Sequence, residues 1–128
     1  MKYLLDTHAI LWISNDDPRL TKKVREIYLK ADHEMFISLA SIWEMAIKIS
    51  IKKLRVKNSL NYFVDNEIFN NNIKIINIEL DHLFYLSNLP LHHRDPFDRL
   101  IISQAIERKL PIISADSFFD LYPVKRTW

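Results

Sequence analysis

The sequence predicts an α/β fold: a three-layer sandwich whose central sheet is mainly parallel, with four to five short strands flanked by helices. Three observations carry this. Short apolar runs alternate with longer segments whose apolar residues recur at helical spacing. That alternation suits strand–helix–strand units around a parallel sheet with right-handed crossovers. The chain has 128 residues, 48% apolar and 27% charged, so residues 1–128 make one globular domain with a core of its own.

The elements follow in order. Tyr3-Leu4-Leu5 is a buried strand ending at Asp6, and Thr7 to Ile13 a first helix. Asn15-Asp16-Asp17-Pro18 is turn chemistry. Leu20, Val24, Ile27, Tyr28 and Ala31 share one face of a second helix. Met35 to Ser38 is a second strand. Ser41 to about Leu54 is a third helix, opening with Ser41 and Glu44 at the spacing of a capping box. Leu60, Phe63, Val64 and Ile68 mark a fourth helical stripe. Ile73 to Ile76 is a third strand, and Leu80, Leu83, Phe84 and Leu86 a fifth helix. Asp95-Pro96 opens a sixth helix, with a side-chain acceptor at N-cap and proline at N1; Ile101, Ile102, Ala105 and Ile106 are its buried face. Pro111 to Ser114 is a fourth strand, and Val124 to Arg126 a fifth at the sheet edge.

Composition removes whole classes of chemistry. There is no cysteine, so disulfides, thiolate zinc sites and cysteine nucleophiles are excluded. There is no glycine, which excludes P-loops, the dinucleotide fingerprint and the glycine-rich nucleophile elbow. The apolar run at the N-terminus is too short for a signal peptide, and no stretch is long enough to span a bilayer. A cytoplasmic location, without membrane contact, is the expectation.

In an open parallel sheet, ligands sit beyond the carboxyl ends of the strands. Asp6 closes the first strand and Asp116 lies just past the fourth. Glu44 is placed in the first turn of the helix leaving the second strand, and Asp98 in the first turn of the helix feeding the fourth. Four acids from distant parts of the chain thus face one rim. One such pair about 4 Å apart costs roughly 4 kcal/mol at an effective dielectric of about 20. Protonation or a bound cation relieves this. Oxygen donors alone select hard ions, Mg²⁺ or Mn²⁺, which suit hydrolysis of phosphodiesters. The chain carries 18 basic and 16 acidic residues, net +2. With the four acids set aside the remainder is basic, which weakly favours a nucleic-acid substrate.

Each residue also has a plainer reading. Asp6 fits a helix cap, Glu44 the partner of Ser41 in a capping box, Asp98 a dipole-favoured residue at N3, and Asp116 a loop acid. Asp95 competes with Asp98; the first is read as the cap and the second as the ligand. His92-His93 beside Asp95 resembles a zinc site superficially, but no third nitrogen ligand is evident. Trp12 and Trp43 read as core or interface.

At this point the residues resemble a known family. Leu4-Leu5-Asp6-Thr7-His8-Ala9-Ile10-Leu11-Trp12, Ser38-Leu39-Ala40-Ser41-Ile42-Trp43-Glu44, His92-His93-Arg94-Asp95-Pro96-Phe97-Asp98-Arg99-Leu100-Ile101 and Pro111-Ile112-Ile113-Ser114-Ala115-Asp116 look like the ordered blocks of a PIN-domain ribonuclease of the VapC toxin type. The resemblance implies a PIN fold and a Mg²⁺- or Mn²⁺-dependent endoribonuclease. It also implies a cognate antitoxin that blocks the site, and commonly a homodimer. Its acids fall on Asp6, Glu44, Asp98 and Asp116, and its hydroxyl residue on Thr7. Two glycines often seen in the family, near Lys53 and before Leu110, are absent, so altered turns are expected there. On this reading Asp6, Glu44 and Asp98 hold the principal metal and Asp116 supports it. Arg99 or a nearby lysine offsets charge on the phosphate. An apolar groove around Ile10, Leu11 and Ile13, with Trp43, Ile47 and Ile51, is the expected seat of the antitoxin; the alternative is that these residues are core. A DNA or flap-type nuclease, and a catalytically silent PIN scaffold, stay open as rivals.

Overall fold

The computed structural model describes the whole chain, Met1–Trp128. Five strands, β1 (Lys2–Leu5), β2 (Glu34–Ser38), β3 (Lys74–Ile76), β4 (Ile112–Ile113) and β5 (Arg126–Thr127), form one sheet in the order β3-β2-β1-β4-β5, every pair parallel. Six helices flank it: α1 (Thr7–Ser14), α2 (Lys22–Leu29), α3 (Leu39–Ser50), α4 (Leu60–Phe63), α5 (Leu80–Ser87) and α6 (Pro96–Arg108). No helix is long and apolar enough to cross a membrane.

The sheet is apolar on both faces, as a parallel sheet covered by helices must be. Side chains alternate across it. Tyr3, Leu5, Met35, Ile37 and Ile113 enter one core with residues of α1, α2 and α3. Leu4, Phe36, Ile76 and Ile112 enter a second core with Ile101, Ile102 and Ala105 of α6. These two cores make the three layers.

The strand order reverses at β1: the chain leaves it towards β2 and returns to β4 on its other side. Such a reversal opens a crevice at the strands' carboxyl ends. Asp6 and Asp116 follow the two strands that flank it.

Several local expectations change. α3 begins at Leu39, with Ser38 as its cap accepting from the Ala40 N–H. Ser38 ends β2 and caps the helix at once, so no loop intervenes. Ser41 and Glu44 therefore form no capping box, and Glu44 lies in the second turn. The fourth helical stripe is irregular: one α-helical turn passes into a π-helical stretch (Val64–Ile68) and a 3₁₀ turn (Phe69–Asn71). β5 is an edge strand as expected, shifted to Arg126–Thr127.

The turns expected to be altered by missing glycines keep the geometry of a glycine cap. Lys52 (φ 61°) and Lys109 (φ 55°) adopt the left-handed conformation. After α6, the Leu110 N–H donates to Ala105 O at 2.9 Å and the Lys109 N–H to Ile106 O at 3.2 Å, the paired bonds of a Schellman motif. After α3 the Lys53 N–H donates to Lys48 O and the Lys52 N–H to Ile49 O. Two lysines carry conformations that glycine would adopt without a Cβ penalty.

Candidate metal centre

Asp6 is the N-cap of α1: its Oδ1 accepts from the Ala9 N–H at 2.7 Å. It is 4% exposed. Burial pushes its carboxyl up to about 6, against hydrogen bonds from Ser114 and Ala9 that favour the ionised form. The plain reading of Asp6 as a cap is thus fulfilled, but a cap alone does not require a buried carboxylate.

Glu44 is buried on α3 and both its oxygens have partners. The Thr7 hydroxyl lies 2.7 Å from Oε1 and 2.9 Å from the Ser41 hydroxyl. Lys48 Nζ donates to Oε2 at 2.8 Å, one helical turn on. A buried charge is tolerated when paired and hydrogen-bonded in this way.

Asp95 is the N-cap of α6, accepting from the Asp98 N–H at 3.0 Å. Asp98 stands at N3, its carboxylate free of that duty. Its carboxyl is pushed up to about 8, first by burial and then by the negative charges of Asp95, Asp6, Glu44 and Asp116. Asp98 therefore feels the charge of each of the other three sequence-selected acids, which come from three other parts of the chain.

Asp116 follows β4. Its Oδ1 accepts from the Phe118 N–H at 2.9 Å, and its Oδ2 lies 2.8 Å from His93 Nε2. The same nitrogen is 3.2 Å from Asp98 Oδ2. Ligand atoms of His93, Asp98 and Asp116 all lie within 4.8 Å of one another.

His93 is the residue that sequence reasoning missed. The zinc reading of adjacent histidines gains nothing, because His92 points elsewhere, edge-on to Tyr122. His93 alone enters the acidic cluster. The Asp95 N–H donates to its Nδ1 at 3.1 Å. A main-chain N–H can only donate, so Nδ1 accepts and the ring proton sits on Nε2, facing the carboxylates. A metal-binding histidine normally donates from its other nitrogen; here that nitrogen is occupied as an acceptor. The geometry makes His93 a hydrogen-bond donor to the acids, not a ligand.

The loop carrying His93 is clamped from afar. The Tyr122 hydroxyl accepts from the His92 and His93 N–H groups at 3.0 and 2.8 Å and donates to Pro90 O at 2.7 Å. The Arg99 guanidinium donates to the carbonyls of Leu89, Pro90 and His93. Arg99, expected with a nearby lysine to offset charge on a substrate phosphate, is half-buried and braces this loop.

The expected apolar groove divides. Ile10 is buried, and Leu11 and Ile13 pack against the core, so the α1 portion is core. Trp12 is half-buried against Trp128. On α3, however, Leu39, Trp43, Ile47 and Ile51 are exposed at four-residue spacing. Trp43, 54% exposed and edge-on to Phe97, is not core.

The donor set fits a hard divalent cation. It offers carboxylate oxygens, one of them on Asp98, where burial first and neighbouring negative charge second favour the protonated form. A dipositive ion is the charge this cluster lacks.

Comparison with known proteins agrees with this architecture. No curated protein matches the chain. Among solved structures, it is similar to a chain of VapBC2 from Rickettsia felis bound to a DNA fragment from their promoter (19% identity, TM-score 0.73, covering 99% of this chain and 98% of that one). It is also similar to DNA-bound VapBC from Salmonella typhimurium (18% identity, TM-score 0.72, 99% and 97%). A toxin–antitoxin complex from Klebsiella pneumoniae follows (16% identity, TM-score 0.61, 90% and 87%). At such identities the likeness is one of fold. The family model described as PIN domain matches residues 3–125; the chain belongs to the PIN domain family.

Proposed function

We propose that this chain is a divalent-metal-dependent endoribonuclease, the toxin of a toxin–antitoxin pair, with Asp6, Glu44, Asp98 and Asp116 as its metal-holding acids. The single observation that supports this best is the meeting of Asp98 and Asp116 on His93 Nε2, at 3.2 and 2.8 Å, beyond the carboxyl ends of the strands, where burial and the charges of four other acids push Asp98 up to about 8. Besides His93 Nε2 at 3.2 Å, the charged groups that act on it are carboxylates.

The ion would be Mg²⁺ or Mn²⁺. When bound, it supplies charge neutralisation and an activated water at neutral pH. The chain's own residues prepare the acids. Thr7 and Lys48 hold Glu44 through its two oxygens. His93 holds Asp116 through a proton kept on Nε2 by the Asp95 N–H. The Ala9 N–H fixes Asp6 and the Phe118 N–H fixes Asp116. Such partners of metal-holding carboxylates set their orientation.

The exposed stripe Leu39, Trp43, Ile47 and Ile51 on α3 is the surface that an antitoxin would cover, in the manner of an apolar helix face or extended segment laid in a groove. The likeness to a chain of VapBC2 and to a toxin–antitoxin complex supports a partner of this kind. A cytoplasmic location and a homodimer accompany the reading.

The test is cleavage of single-stranded RNA with Mg²⁺ or Mn²⁺, with and without chelator, beside a DNA strand of the same sequence. Metal-dependent cutting of RNA that Asp6→Asn and Asp98→Asn both abolish is the expected result. If both variants cut as fast as wild type, the site assignment is wrong. Faster cutting of DNA would favour the DNA nuclease, and no Mn²⁺ binding by calorimetry the silent scaffold.

A further inference from the structure

The wall of the acidic cluster has a second side. His92, His93, Arg94, Asp95 and Phe118 line a cavity of about 290 Å³, near the small end of ligand sites, which begin at roughly 300 Å³. His93 belongs to both sides. Its Nε2 faces Asp98 and Asp116, and its ring meets Phe118 edge-on, with centroids 5.9 Å apart. The imidazole thus faces Asp98 and Asp116 with one edge and lines the cavity with the rest of its ring, while Asp95 lines the cavity directly.

Two of the lining residues, Arg94 and Phe118, are exposed and take no part in the core. Phe118 is 57% exposed, while its neighbour Phe119 is wholly buried in the core. The Phe118 main chain is nonetheless fixed, its N–H held on Asp116. A large apolar ring is thus presented to solvent from a rigid point beside the acids. Arg94 is exposed. Arg19, Arg25 and Arg126 are paired with acids and Arg99 with carbonyls; the Arg94 guanidinium, like those of Arg55 and Arg108, has no such partner, and of these three it alone lines this cavity. The loop bearing Arg94 is the one clamped by Tyr122 and Arg99, so the cavity exists before any ligand arrives and its occupation requires little ordering.

An aromatic face and a free guanidinium together suit one nucleotide: the base stacks on the ring and the phosphate accepts from the guanidinium. A base inside a duplex has no free face, so the ligand is single-stranded. We propose that the cavity lined by His92, His93, Arg94, Asp95 and Phe118 is a single-nucleotide subsite beside the metal centre, with Phe118 stacking on an unpaired base and Arg94 holding its phosphate. The inference rests on the metal-nuclease reading and adds to it two residues, Phe118 and Arg94, that hold one unpaired nucleotide beside the metal centre.

The experiment measures binding. A fluorescein-labelled RNA hexauridylate is titrated with protein in Ca²⁺, its integrity checked by gel, and followed by anisotropy; a duplex RNA is run in parallel. Mn²⁺ affinity is measured separately by calorimetry. Phe118→Ala should weaken hexamer binding about 10-fold, within the 1–3 kcal/mol range of one base–aromatic stack, and Phe118→Trp should restore it. Arg94→Ala should weaken it too and lower the slope of log affinity against log salt by about 0.7. Both should bind Mn²⁺ as wild type does and leave the duplex unaffected. If both variants bind the hexamer within twofold of wild type while Mn²⁺ still binds, the subsite is overturned and the metal reading stands. If they lose Mn²⁺ and duplex binding in the same proportion, the residues act through the metal centre and the subsite is likewise overturned. A wild-type protein that binds neither Mn²⁺ nor RNA overturns both.

Discussion

His82 and His93 make the same local contacts and sit in opposite situations. Each ring accepts a main-chain N–H at Nδ1, from Glu79 at 3.0 Å and from Asp95 at 3.1 Å. Each presents Nε2 to a carboxylate, Glu107 at 3.2 Å and Asp116 at 2.8 Å. His82 is buried where α5 meets α6 and closes the capping box of α5 with Glu79. Its one acid, Glu107, is partly open to solvent. His93 faces a second acid, Asp98, which itself feels the charges of Asp6, Glu44, Asp95 and Asp116. The histidine does not distinguish a structural pair from a functional one. What differs is the number of carboxylates gathered behind it.

The largest effect should come from removing that crowding at its centre. Asp98→Asn should lower RNA hydrolysis at least about 100-fold, since even outer partners of a metal site contribute 10–100-fold; initial rates in Mn²⁺ measure it. The same substitution should stabilise the metal-free protein above neutral pH. In the folded state Asp98 titrates at about 8, against the ordinary 3.8, so the folded form holds the proton more tightly than the unfolded one. Its contribution is present in full below about pH 4 and is lost as pH rises to about 8. Asp6, raised to about 6, adds to the earlier part of the decline. Thermal melts of metal-free wild type should fall across that window, Mn²⁺ should restore stability at pH 8, and Asp98→Asn should remove most of the slope.

The two histidines then separate. His93→Ala should weaken Mn²⁺ binding about 10-fold or more by calorimetry, with His93→Gln recovering part of it through an amide donor. His82→Ala should leave Mn²⁺ affinity as it is and cost about 1–3 kcal/mol in urea denaturation, the range for stranding buried polar partners. Equal Mn²⁺ losses in both alanine variants would erase the contrast. Smallest is Lys109→Gly, which should raise stability by about 1 kcal/mol by relieving a left-handed conformation at a lysine.

Much of this was legible because local chemistry and global fold agree. Strand ends announced Asp6 and Asp116, and Asp95-Pro96 announced the start of α6. Glu44 was found despite a wrong helix start. Ser38 and Ser41 are both competent caps, and periodicity cannot say which of them the end of β2 reaches. His93 was invisible for a different reason. Its position depends on Tyr122, some thirty residues away, and on Arg99 turned inward. The expected apolar groove held only in its α3 part, where Trp43 is exposed while Ile10 of α1 is buried, because spacing alone does not say which apolar face is covered.

A chain without a single glycine differs in its denatured state as well as in its turns. Glycine loses more freedom on folding than any other residue, so this polypeptide starts from a narrower ensemble, further restricted by its five prolines. Backbone tension at Asp16, Lys52, Asn58, Asn72 and Lys109 raises the folded state's free energy, while the stiffer disordered chain offsets it from the other side of the equilibrium.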